Sequence, residues 1–188
     1  MSIVHTKTER RFNPHLFLLQ GAQYHLRLAK VKTDRCYYDW IRAILLAALS
    51  IEAIGNSYGE VLIPGWEDFE SASPIAKLRL VATRCGIKPD FGKQPWQTAR
   101  GLIICRNRIA HAKRKHLEDL KECSLNEDGP LFKVKLESDL EKMITEDFAG
   151  QSCAAVDQII KDLNKTLKVS ELRDLTCNGH EYYAHVSP

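Results

Sequence analysis

The sequence predicts an all-α bundle of about five main helices, and three observations carry that prediction. Asn13-Pro14 and Ser73-Pro74 each place a capping residue before a proline, which is the signature of a helix start. Apolar residues recur at helical spacing, most clearly in the series Phe148, Ser152, Val156, Ile159, Ile160, Leu163 and Leu167. Two long patterns near the N-terminus are separated by only a short break, as expected of an antiparallel helical hairpin.

The elements follow in order. Residues 1–13 are polar and basic and read as a mobile tail. The first helix runs over 14–32. Asp34 is the expected cap of the second, which carries "YYDWIRAILLAALSIEAIGNS" and runs over 34–58. A loop with "IPGW" follows in 61–72. The third helix covers 74–85, with Gly86 placed where a helix C-terminus favours glycine. After the turn-rich "KPDFGKQP", the fourth helix covers 95–115. The stretch "KECSLNEDGPLFKVKLES" alternates around "NEDG", at Asn126–Gly129, and allows a short β-hairpin before the last helix. That helix covers 145–168. One domain over 14–168 then leaves 169–188 as a C-terminal tail.

Composition narrows the functional classes. The chain has 188 residues, ample for one core, and a net charge of +3, too small to declare a nucleic-acid partner without a local cluster. Its six cysteines form no CxxC pair, which points to a reducing compartment and away from a zinc site. Cys177, His180 and His185 make a poor zinc pattern in what reads as a tail. No metal or other cofactor is expected. The first residues lack the apolar segment of a signal peptide. The longest charge-free apolar run, Ala43 to Ile51, falls well short of the ~20 residues of a membrane span. A cytoplasmic protein with no membrane partner is expected.

Two charges interrupt apolar faces. In the fourth helix Arg106 sits at the centre of the stripe Ala99, Leu102, Ile103, Ile109 and Ala110. In the second, Glu52 is the only charged residue from Ala43 to Gly55 and shares a face with Ile41, Leu45, Ala48 and Gly55. A guanidinium stays protonated, and burying it without a partner is costly. Glu52 and Arg106 are therefore expected to meet or to face one small cleft. Asn107 and His111 share a flank of the same stripe. Around His111 crowd Arg108, Lys113, Arg114, Lys115 and His116. Histidine is suited to proton transfer near neutral pH. A basic cluster beside it is the electrostatic footprint of a phosphate-backbone partner. The plainer reading is a structural Glu52–Arg106 pair that fixes helix register, with His111 favoured simply by the helix C-terminus.

"RNRIAH", Arg106 to His111, resembles the R-x(4–6)-H signature of the HEPN domain family (higher eukaryotes and prokaryotes nucleotide-binding). The helices "AILLAALSIEAIGNS" and "SPIAKLRLVATRCGI" resemble its corresponding elements. The resemblance implies a helical bundle of four to five helices that forms a homodimer. It also implies metal-independent endoribonuclease activity in toxin–antitoxin, phage-defence or RNA-processing settings. Carried over, Arg106 and His111 become the catalytic pair and Asn107 a positioning residue; Glu52 is added in support from the helix geometry. Arg108, Lys113, Arg114 and Lys115 would hold the RNA, and a separate antitoxin or regulatory protein is a further implied partner. One toxin subgroup carries a tyrosine two residues after the histidine, where its antitoxin adds a nucleotide; here that position is Lys113.

The chemistry is coherent without the family. Metal-free RNA cleavage needs a proton-transfer group and a cation to stabilise the phosphorane, roles that suit His and Arg. At i+5 on one helix the two point ~140° apart. A two-fold dimer would set two of each around one cleft. The product would be a 2′,3′-cyclic phosphate. The alternative is the same fold used as a non-catalytic module that binds RNA, a nucleotide or a protein.

Overall fold

The computed structural model describes residues 4–31, 34–118, 136–176 and 180–186, and for 4–10 and 180–186 the backbone alone. Helices α1 (Pro14–Val31), α2 (Cys36–Leu62), α3 (Pro74–Arg84), α4 (Trp96–Ala110), α5 (Glu146–Asn164) and α6 (Val169–Thr176) form an all-α bundle. Two 3-10 turns, Trp66–Phe69 and Glu141–Met143, precede α3 and α5.

α2 is the axis of the bundle. It packs against α1, α3, α4, α5 and α6. Its small residues Ala43, Ala47, Ala48 and Gly55 are buried and let its neighbours approach. A Cβ on Gly55 would sit 2.9 Å from Lys77 Cβ of α3, and one on Gly59 would overlap the Trp66 indole. Among the described helices α2 alone is long and apolar enough for a membrane span, and half of its most apolar stretch is buried within the bundle.

Local chemistry explains several helix ends. Ser73 Oγ accepts from Ala76 N at 3.3 Å, with Pro74 beginning α3. α3 ends in a Schellman turn: Gly86 adopts φ +71, Ile87 N donates to Ala82 O at 2.8 Å, and Gly86 N donates to Thr83 O at 2.9 Å. Thr145 Oγ1 accepts from Phe148 N at 3.1 Å at the start of α5. Trp66 and Trp96 are buried in the core.

Several expectations need correction. Asp34 does not cap α2: the N-cap is Arg35, in a left-handed conformation at φ 56. α2 continues four residues past Tyr58, because Leu62 still has core to bury against. α4 stops at Ala110 rather than 115, since 112–116 offers no large apolar side chain to a helix and carries like charges on successive residues. The chain after α5 is not simply a tail. α6 buries Leu175, and Lys168 N donates to Glu171 Oε2 at 2.8 Å, as in a capping box. The two segments read as tails meet: β1 (Val4–Arg10) pairs antiparallel with β2 (His180–Val186), in a register from Val4 opposite Val186 to Arg10 opposite His180. His185 stands opposite His5 in that register. The hairpin expected at Asn126–Gly129 and the residue Cys177 lie outside the described residues.

Candidate nucleic-acid groove at the end of α4

Position along α4 decides which way each side chain faces. Ala99, Leu102, Ile103 and Cys105 are buried, so the N-terminal two-thirds of the helix is core. The expected stripe then opens: Ile109 is half-buried and Ala110 exposed. Ile104, Asn107, Arg108 and His111 step i, i+3, i+4, i+7 along a different face. That face forms one wall of a groove of about 800 Å³. Lys113, Lys115 and Leu117 line it from the chain that leaves α4, and Ser138, Asp139 and Leu140 from the segment before α5. Lys115 Nζ ties the two walls together at 3.3 Å from Asp139 Oδ2. Arg108 Nη1 donates to Met143 Sδ at 3.0 Å.

Arg106 faces away from this groove. Its Nη2 donates to Glu52 Oε2 in an ion pair between α4 and α2, which is the meeting the two lone charges predicted. The pair is not deeply buried: the side chains retain 26% and 33% of their exposure. Arg106 is thus half-buried where the stripe implied a core position, because the bundle closes over residues 99–105 and not beyond. Arg106 Nη1 also donates to Asn107 Oδ1 at 2.8 Å. A guanidinium can only donate, so Asn107 must present its oxygen to Arg106 and keeps its NH2 group for the groove. Arg106 Nε is buried without a partner among the described residues.

His111 is the C-cap of α4. Its backbone N–H donates to Asn107 O at 3.0 Å and its side chain is exposed at the groove. The site residues expected from sequence are thus partly assembled. Asn107, Arg108, His111, Lys113 and Lys115 share the groove, Arg106 touches it only through Asn107, Glu52 stands behind Arg106, and Arg114 is exposed outside it.

Ser138, Asp139 and Leu140 escaped sequence reasoning. They sit more than twenty residues downstream with no motif, and only the return of the chain to α4 brings them in. A second cavity of about 500 Å³ was equally hidden. It is lined by Asn56, Glu60, Trp66, Glu67, Glu70 and Lys77. Lys77 Nζ donates to Asn56 Oδ1 at 2.8 Å there and lies 6.0 Å from the centre of the Trp66 ring.

Burial pushes the Cys105 and Cys85 thiols up, and Cys153 to about 11, which keeps them protonated. No group of three His, Cys, Asp or Glu placed to hold a metal ion occurs among the described residues. No family model, curated protein or solved structure matches the chain.

Proposed function

We propose that the groove at the end of α4 binds RNA and that the protein is a metal-independent endoribonuclease of HEPN type, acting as a homodimer in a defence or toxin–antitoxin setting. The observation that carries this reading is the relay from Glu52 through Arg106 to Asn107, which leads into a groove rimmed by His111, Arg108, Lys113 and Lys115. In this reading the cations hold the backbone, and Asn107 orients a phosphate with its NH2 group. His111 transfers the proton between the 2′-OH and the leaving 5′-oxygen. Arg106 contributes positive charge to the phosphorane, and pairing of two α4 ends across a two-fold axis sets a second Arg106 and His111 at the same phosphate.

The test is cleavage of single-stranded RNA in the presence of EDTA. The expected result is cleavage by the wild type with 2′,3′-cyclic phosphate ends, abolished by His111→Ala without change in fold. Cleavage that requires a divalent ion, or that survives His111→Ala, refutes the mechanism. One observation favours a second reading. Arg106 is already bound by Glu52 and Asn107, so the same groove serves equally as a non-catalytic RNA-binding module. RNA binding with no cleavage in any buffer selects that reading.

A further inference from the structure

α1 carries two seams of the same spacing. His15, Leu19, Ala22, Leu26 and Ala29 step 4, 3, 4, 3 and pack into the bundle. Phe17, Gly21, Tyr24, Leu28 and Val31 repeat these steps on another side of the helix. Leu28 is half-buried there, while Phe17 is 60%, Tyr24 54% and Val31 78% exposed. These three share one angular position at seven-residue intervals, over about 21 Å of helix. Phe12, with its ring 5.6 Å from that of Phe17, prolongs the seam at its N-terminal end. At Gly21 a Cβ would stand 3.2 Å from Leu46 Cδ1, so α2 forms the floor of the seam there.

The charge on α1 itself has one sign. α1 contains no Asp or Glu, and Arg27 and Lys30 are exposed on it. Arg42 of α2 adds a third exposed cation, 3.1 Å from the buried Asp39, which His25 of α1 also contacts at 3.0 Å. The Asp39 carboxylate is therefore already taken up by α1 and α2 themselves. α1 contributes no residue to the groove at the end of α4.

We infer that this outer seam of α1 docks an acidic amphipathic helix supplied by a separate protein. A seven-residue apolar repeat is what a facing helix presents as knobs and accepts as holes. The basic flanks select a partner with Glu or Asp beside its own apolar positions. A second copy of α1 would oppose cation to cation. A membrane surface calls for a broad apolar face, and here the apolar side is two positions wide per heptad. Single-stranded RNA calls for stacking platforms, and of the two exposed rings on α1 the Phe17 ring already contacts Phe12. The surface stands whether or not the groove cleaves RNA.

The probe is a fluorescent three-heptad peptide with Leu at both apolar positions and Glu at the flanking ones, whose like charges oppose self-pairing. It is titrated into the full chain by anisotropy. Saturable binding is expected, weakened at least tenfold by Tyr24→Glu or Val31→Glu, both exposed positions that leave circular dichroism unchanged. The double variant Arg27→Glu/Lys30→Glu should lose the Glu-flanked peptide and gain a Lys-flanked one. No binding of the Glu-flanked peptide, or equal binding by all variants, overturns the inference. So does seam-dependent binding of a single-stranded RNA oligomer or of phosphatidylserine vesicles in its place. Dissociation of a wild-type dimer by Tyr24→Glu would assign the seam to a second copy and overturn it as well.

Discussion

Acid should destabilise the bundle through His15. This residue is fully buried where α1, α2 and α6 meet. Its ring packs edge-to-face on Tyr58, with centroids 5.3 Å apart, and its backbone oxygen accepts from Ser50 Oγ at 2.7 Å. Neither ring nitrogen has a partner in hydrogen-bonding geometry among the described residues. Burial lowers its pKa from 6.5 to about 4, against a smaller opposing effect from the Leu175 backbone. A folded pKa below the unfolded one means that the unfolded chain takes up the proton first. The stability that neutral His15 confers is complete above pH 6.5 and is lost as pH falls towards 4. The gap between those two values corresponds to about 3 kcal/mol, a large share of the ~5–15 kcal/mol that holds a typical domain. In a chain of this size that is a midpoint shift of about 6–12 °C.

The assay is unfolding followed by far-ultraviolet circular dichroism at pH 7.5, 6.5, 5.5 and 4.5, for wild type and His15→Leu. Leucine removes the titration and imposes a packing cost of ~1–3 kcal/mol that does not vary with pH. Wild type should be the more stable at pH 7.5 and should lose that lead by pH 4.5. His15→Phe, which keeps a ring against Tyr58, should show the same loss of pH dependence. Parallel profiles for wild type and both variants between pH 6.5 and 4.5 would refute the reasoning, since the carboxylates common to all three would then account for the whole acid response.

Other perturbations have equally definite outcomes. Glu52→Ala leaves the half-buried Arg106 guanidinium with only Asn107 and should cost about 1–3 kcal/mol in chemical denaturation, between the values for exposed and fully buried pairs. Gly59→Ala, which in an open helix would stabilise, should here destabilise by about 3 kcal/mol because its methyl meets the Trp66 indole; Trp66→Leu in the same chain should recover part of that loss. If the groove binds RNA, replacing Arg108, Lys113 and Lys115 by Gln should reduce the slope of log affinity against log salt by about 2, with no change in melting temperature.

What the sequence makes legible here is whatever is written locally. Asn13-Pro14, Ser73-Pro74 with Gly86, and the repeat from Phe148 to Leu167 each act within a few residues, and the corresponding helix ends fall within two residues of expectation, except that α5 stops at Asn164 rather than 168. Glu52 and Arg106 were legible because each is the lone charge on an apolar face. The pairing of Val4–Arg10 with His180–Val186 joins the two ends of the chain with no turn between them to announce it. α6 is only eight residues long and buries one leucine deeply, too little for a periodic signal. The end of α4 is not legible because cations favour a helix C-terminus wherever it falls, so "AHAKRKH" marks an end without fixing its residue.

The groove and the ion pair are two consequences of one helix leaving the core. Up to Cys105 every inward position of α4 meets apolar side chains. Beyond it, Arg106 is turned towards α2, where the only charge on the facing surface is Glu52. The ~140° between positions five apart then obliges His111 to face elsewhere. Asn107 lies between these directions and, among the described residues, is the one side chain bonded to Arg106 that also lines the groove. Within a single chain Arg106 therefore acts on the groove through an amide rather than by contact. Catalysis by both residues at one phosphate requires either a second α4 across a two-fold axis or release of Arg106 from Glu52. If the groove acts on RNA as proposed, either route makes Glu52 the residue that sets how much of the guanidinium's charge is free for it. Glu52→Gln would keep a hydrogen-bonding partner for Arg106 while removing the opposing charge, and so separates the pair's contribution to packing from its hold on the groove.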